Sequence, residues 1–227
     1  MVGRLRARLR GPGSREAFGR LRVLRLGRLL PDPAAVPFTF GYAAVLVVTS
    51  LVARYADPSV VHALLRDSST DVAHLVRDPV RVLAASALWV AGGIASPYSL
   101  CFLLVLTALE RRVGALRTAG VFAFGHVVAT LATEVPVGLA VLAGLLPGSA
   151  LHRLDYGVSF GVAACVGALT GLMPPWPRWS LLAVFTAAAA QDLLTFADPM
   201  TSCGHLLALA LGVASRPALR DRARGVR

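Results

Sequence analysis

Two side chains in this sequence could together do covalent chemistry. Ser159 and His205 are polar residues set in long apolar stretches, and a serine hydrogen-bonded to a histidine is the minimal activated nucleophile. Polar groups in such surroundings are costly, so each is a functional hypothesis by default. His126, Glu134 and Asp192 share that setting. No H-E-x-x-H, P-loop or dinucleotide fingerprint occurs. Cys101, Cys165 and Cys203 lack C-x-x-C spacing, which argues against a zinc site or a disulfide framework. Neither a metal nor a cofactor is expected.

The elements that would carry these residues read as membrane spans. Only 15% of the 227 residues are charged, against about 25% in soluble domains. The charges are also segregated: Met1 to Leu30 holds nine arginines and one acid, and Arg216 to Arg227 holds five arginines and one acid. Apolar spans are expected from about Pro37 to Ala53, Tyr98 to Leu109, Arg117 to Leu146, Tyr156 to Met173, Trp179 to Phe196 and Cys203 to Ser215. Glu134 and Pro136 should kink or end the third. Between the first two spans, Asp57 to Arg81 mixes charges with apolar residues and reads as one or two interfacial amphipathic helices. Val82 to Gly93 is too short to cross a bilayer and reads as a re-entrant or interfacial segment. Asp155 is expected to cap the fourth span.

This gives an all-α membrane bundle of about six helices. A basic segment (1–36) precedes a transmembrane domain (37–215), and a basic tail (216–227) follows it. Arginines flank the inner ends of the spans, so the positive-inside rule puts both termini in the cytoplasm; the expected location is the plasma membrane. The N-terminal arm is basic for too long, and lacks the cleavage site, to be a signal peptide. The same rule accounts for the net charge of +11 without nucleic acid, since the arginines lie beside apolar spans with no recognition motif.

Depth and face both allow Ser159 and His205 to meet. Ser159 lies fifteen positions before Pro174, about 22 Å along a helix; His205 lies eleven before Arg216, about 17 Å. Both heights fall in the outer half of a hydrocarbon core about 30 Å thick. Ser159, Ala163, Gly167 and Gly171 recur at helical spacing, as do His205, Ala208 and Gly212. Small-residue stripes of this kind let two membrane helices approach closely.

The segment Gly157-Val158-Ser159-Phe160-Gly161 resembles the Gly-x-Ser-Gly motif of the rhomboid intramembrane serine proteases, in a divergent bacterial branch. Gly204-His205 with Ala208 and Gly212 resembles the family's last helix, and Gly167 falls where the family has a glycine. Glu110-Arg111-Arg112-Val113-Gly114 looks like its E-x-x-x-G. Arg81 looks like the arginine of its Trp-Arg pair, with Val80 in place of the tryptophan. The resemblance spans Pro37 to Ser215. It implies that Ser159 attacks a peptide bond in or near a single-span membrane helix while His205 acts as general base and then acid.

The sequence departs from that pattern at four further positions. Phe160 follows the serine in place of glycine. Ala163 stands where the family often has an aromatic residue stacked on the histidine. Ile94 and Tyr98 stand where it has the histidine and asparagine of the oxyanion site. Backbone N–H groups near Ser159, with Tyr98 or Ser96, are the remaining donors. Losing one such donor typically costs about 10²- to 10³-fold in rate. A catalytically inactive relative that binds client transmembrane helices is therefore the second reading. A transporter is the third, and it would want charged residues along a midplane path and often inverted repeats. Oligomeric state is not legible from these residues.

Overall fold

The computed structural model describes residues 31–194 and 198–219, apart from the side chains of residues 97, 98, 192 and 193. The arginine-rich arm before residue 31 and most of the basic tail lie outside the described residues, as does the side chain of Tyr98. Among the described residues the chain is all helical. The helices are α1 (Pro37–Tyr55), α2 (Pro58–Asp67), α3 (Val72–Arg77), α4 (Pro79–Ser86), α5 (Pro97–Val113), α6 (Ala115–Leu142), α7 (Ser159–Gly171), α8 (Pro175–Leu194) and α9 (Pro199–Ala214), with a 3₁₀ turn at Gly148–His152.

Proline and a capping side chain start most of these helices. Asp57, Asp78, Ser96 and Asp198 each accept a backbone N–H of the following turn, and Pro58, Pro79, Pro97 and Pro199 occupy the first helical position. Proline is pre-organised there and loses no hydrogen bond. The α1 start is capped from a distance: the Glu110 carboxylate accepts the Phe38 N–H at 2.9 Å, the Thr39 N–H at 2.7 Å and the Thr39 hydroxyl at 2.6 Å. The E-x-x-x-G glutamate thus ties the end of α5 to the start of α1.

Among the described residues four helices surround α7. Every residue from Phe160 to Gly171 is buried, and α7 packs on α9, α6, α5 and α8. Tyr42 on α1 meets Phe102 on α5 and Phe122 on α6 edge-on, each at 5.2 Å between centroids, a favoured geometry for aromatic pairs. Phe122 continues inward, since a Cβ at Gly161 would strike its ring. Helices α1 and α6 are long and apolar enough to cross a membrane on their own, whereas α7 and α9 are shorter apolar helices.

Three expectations change. Pro136 does not end the third span, because α6 runs unbroken through it. In apolar surroundings any non-helical alternative would strand more backbone groups than the one bond proline removes. Asp57 to Arg81 holds α2 and α3 and, beyond the one or two helices expected there, the first turn of α4, which runs on to Ser86 into the stretch expected to be re-entrant or interfacial. The fourth span begins at Ser159, not Tyr156. At 13 residues it is about 20 Å long, well short of a roughly 30 Å core. The preceding chain descends into the bundle in non-helical form, which is tolerated at membrane depth only inside protein.

Candidate active site

The lead-in to Ser159 is held by backbone groups at the end of α4 and just beyond it. Gly157 N–H donates to the Ser86 carbonyl at 3.0 Å, and Val158 N–H donates to the Trp89 carbonyl at 3.1 Å. Gly157 has φ +132, a conformation that side chains disfavour. The chain turns there into α7 with Val158 as the N-cap and no side-chain cap. The first intrahelical bond runs from Val162 N–H to the Val158 carbonyl. The amides of Ser159, Phe160 and Gly161 therefore form the open first turn, where N–H groups lack helical acceptors.

Asp155 does not cap this helix. Its carboxylate accepts the Thr70 hydroxyl at 3.1 Å, its carbonyl accepts the Thr70 N–H at 2.8 Å, and its N–H donates to Ser69 Oγ at 3.1 Å. The buried Ser68–Asp71 segment between α2 and α3 claims it instead. Burial pushes the Asp155 carboxyl up, opposed by Arg153 and the Thr70 hydrogen bond.

Helices α7 and α9 lie side by side in the same direction, with backbone against backbone. A Cβ added to Gly167 would strike the Leu209 carbonyl, one on Gly212 would strike the Ala164 carbonyl, and one on Gly171 would meet Arg216. The two small-residue stripes face each other, as their spacing implied. At the level of Ser159 the contact changes character. Phe160 turns its ring edge-on to His205, 5.3 Å between centroids at 79°. A Cβ on Gly204 would run into that ring. Phe185 from α8 meets His205 from another side at 6.5 Å and 88°. Ser159 and His205 are both half-buried, and among the described residues no hydrogen bond joins them.

The top of α9 is anchored through its cap. Asp198 accepts the Thr201 N–H at 3.1 Å and the Thr201 hydroxyl at 2.7 Å, and Arg153 donates to it at 3.3 Å. Partial burial works against the ionised Asp198 carboxyl, but the Thr201 hydrogen bonds, Arg153 and His205 hold it below its ordinary value. Arg153 also donates to the fully buried Glu134 of α6 at 2.7 Å. One arginine in the α7 lead-in thus ties α6 to the α9 cap. No pattern in the sequence marks Arg153 for this, since it stands alone in a loop.

His126 is 5% exposed. Its Nε2 lies 3.1 Å from Ser86 Oγ and 3.0 Å from the Leu83 carbonyl, a structural tie from α6 to α4. Ser96 is taken up in capping α5, and Ile94 is half exposed. Arg178 lies in the first turn of α8 and caps the far end of α7 by donating to the carbonyls of Thr170 and Met173 at 2.9 and 2.8 Å.

No curated protein and no solved structure matches the chain. The family model described as rhomboid-like protein matches residues 34–225, which takes in all six long helices and both stripes. An all-helical bundle of apolar helices around a short central one, matched over most of its length by that family, makes this chain a membrane protein belonging to the rhomboid-like family.

Proposed function

We propose that the protein is an intramembrane serine protease that cleaves single-span membrane proteins in or near their transmembrane helices, with both termini in the cytoplasm of a cell with the protein in its plasma membrane. The observation that carries this reading is the Phe160–His205 ring contact, one residue from Ser159, at the top of the closely packed α7–α9 pair. In this reading the Ser159 hydroxyl hydrogen-bonds to His205 when substrate is bound. The imidazole then takes the hydroxyl proton as Oγ attacks the peptide carbonyl. The first-turn amides of α7 face the developing oxyanion, a service that backbone N–H groups perform at helix N-termini. Collapse expels the amine, which takes the proton from His205, and water hydrolyses the acyl-enzyme by the reverse sequence.

Phe160 answers two departures from the family pattern at once. It occupies the glycine position after the serine, and it supplies the ring against the histidine that Ala163 cannot. Gly157, Gly161 and Gly204 are the small residues that leave room for this turn and this ring.

The missing Ser159–His205 hydrogen bond and the apolar Ile94 favour a second reading, an inactive relative that binds client transmembrane helices. Labelling of the detergent-solubilised protein with a fluorophosphonate probe separates the two. Signal in wild type that vanishes in Ser159→Ala and in His205→Ala supports the protease. An unlabelled wild type, beside a rhomboid protease that labels in the same detergent, supports the client binder.

A further inference from the structure

A second site lies apart from Ser159, where the short helices α2 and α3 meet the 3₁₀ turn. A cavity of about 180 Å³ there is lined by His62 and Arg66 of α2, His74 of α3, His152 and Leu154, with Asp71 at its edge. The one acid is already engaged: its carboxylate accepts the His74 N–H at 3.1 Å and pairs with His74 Nδ1 at 2.7 Å. No group of His, Cys, Asp and Glu among the described residues could hold a metal ion, so the histidines are not a metal cage. They and Arg66 make a concave face rich in potential hydrogen-bond donors, with the Asp71 carboxylate turned to His74.

His152 also lines a larger neighbour. A groove of about 580 Å³ runs between α3 and the upper part of α6, floored by Val72, Val76, Val135, Gly138, Leu139 and Leu142, with Arg77 at its rim. It is almost wholly apolar, and its size is that of a ligand pocket, roughly 300–1,000 Å³. Among the described residues neither Arg66 nor Arg77 has a carboxylate within ion-pair distance. An apolar trough on a membrane protein that shares His152 with a cup holding Arg66 and three histidines matches an amphiphile with one oily arm and one anionic head. Arginine is well suited to the oxygens of a phosphate, and basic residues near a membrane surface attract anionic lipid.

We propose that this pair of cavities binds one glycerophospholipid with an anionic headgroup, an acyl chain in the α3–α6 groove and the phosphate in the His62–Arg66–His152 cup. The lipid would brace the α2–α3 segment, whose Ser69 and Thr70 hold Asp155 in the lead-in to α7. Binding does not depend on Ser159.

Native mass spectrometry of the detergent-solubilised full chain tests this with dioleoyl phosphatidylglycerol, dioleoyl phosphatidylcholine and inorganic phosphate as probes. Retention of phosphatidylglycerol about fivefold above phosphatidylcholine is expected in wild type, a factor of the size one interfacial arginine supplies. The exposed pair His62→Gln with Arg66→Gln should abolish that preference, and Arg66→Lys alone should keep it. Leu139→Phe, which fills the groove, should reduce retention of both lipids. Millimolar inorganic phosphate should not displace the lipid. Equal retention of the two lipids overturns the proposal, as does a preference that survives the double variant. So does displacement by phosphate together with indifference to Leu139→Phe, which would mean a free-anion site. Photo-crosslinking of a single-span peptide from position 139, with lipid retention unchanged, would assign the groove to a client helix and also overturn it.

Discussion

The ring of Phe160 stands edge-on to the imidazole of His205, with 5.3 Å between centroids and 79° between planes. This one contact joins the residue after the candidate nucleophile to the candidate base. It also explains why Gly204, beside His205, has no side chain.

Replacing Phe160 should therefore cost both stability and reactivity. Phe160→Ala empties a buried site and is expected to destabilise by about 3–5 kcal/mol. Phe160→Leu keeps much of the volume and should cost less. In both, His205 loses a positioning neighbour, so fluorophosphonate labelling should slow by about tenfold or more, as a barrier increase of roughly 1.4 kcal/mol would produce. Thermal unfolding in detergent and labelling rates check the two effects separately. Labelling at the wild-type rate in Phe160→Leu would remove the ring from the mechanism.

The α7–α9 seam makes a sharper packing prediction. Gly212→Ala forces a methyl group into the Ala164 carbonyl, and overpacking of this kind costs typically about 1–3 kcal/mol. Gly120→Ala is the control, because nothing lies within 4 Å of a Cβ there. It should leave the melting temperature unchanged or slightly raised, as glycine is the poorer helix former. Equal effects of the two substitutions would contradict the close approach.

Arg153 should matter through the charge it leaves behind. Arg153→Met strands the fully buried Glu134 carboxylate, and breaking a buried pair from one side costs roughly 3–5 kcal/mol. Adding Glu134→Gln should recover most of that loss. A double variant no better than Arg153→Met would show that the arginine acts through Asp198 instead.

Two carboxylates near the site should give opposite pH dependences. Asp198 is held below its ordinary value in the folded protein, so its contribution is present above the unfolded value, about 3.9, and is lost as pH falls through the folded value. Asp198→Asn should lower stability at neutral pH and flatten the acid limb. Asp155 is raised by burial, so its protonated form is favoured by folding, and that contribution fades as pH rises through the folded value. Asp155→Asn keeps an acceptor for Thr70 and should stabilise at pH 7, with the gain vanishing below about pH 4. Thermal melts of both variants between pH 3 and pH 8 check the two signs.

Much of this protein is written in one dimension. Six apolar stretches, the arginine-rich flanks and the stripes through Gly167, Gly171 and Gly212 specify helices in a membrane and two that touch closely, because hydropathy and residue size are local properties. The tertiary structure alone decided where α7 begins, since Gly157 and Val158 spend their N–H groups on the carbonyls of Ser86 and Trp89, some seventy residues away in sequence. It also gave Asp155 to Thr70 rather than to a helix cap, and carried α6 through Pro136. Most tellingly, it turned Phe160, which reads as a defect in the serine motif, into the ring beside His205. Hydrogen-bond partners and ring contacts between distant segments depend on which helices become neighbours, and no local pattern encodes that.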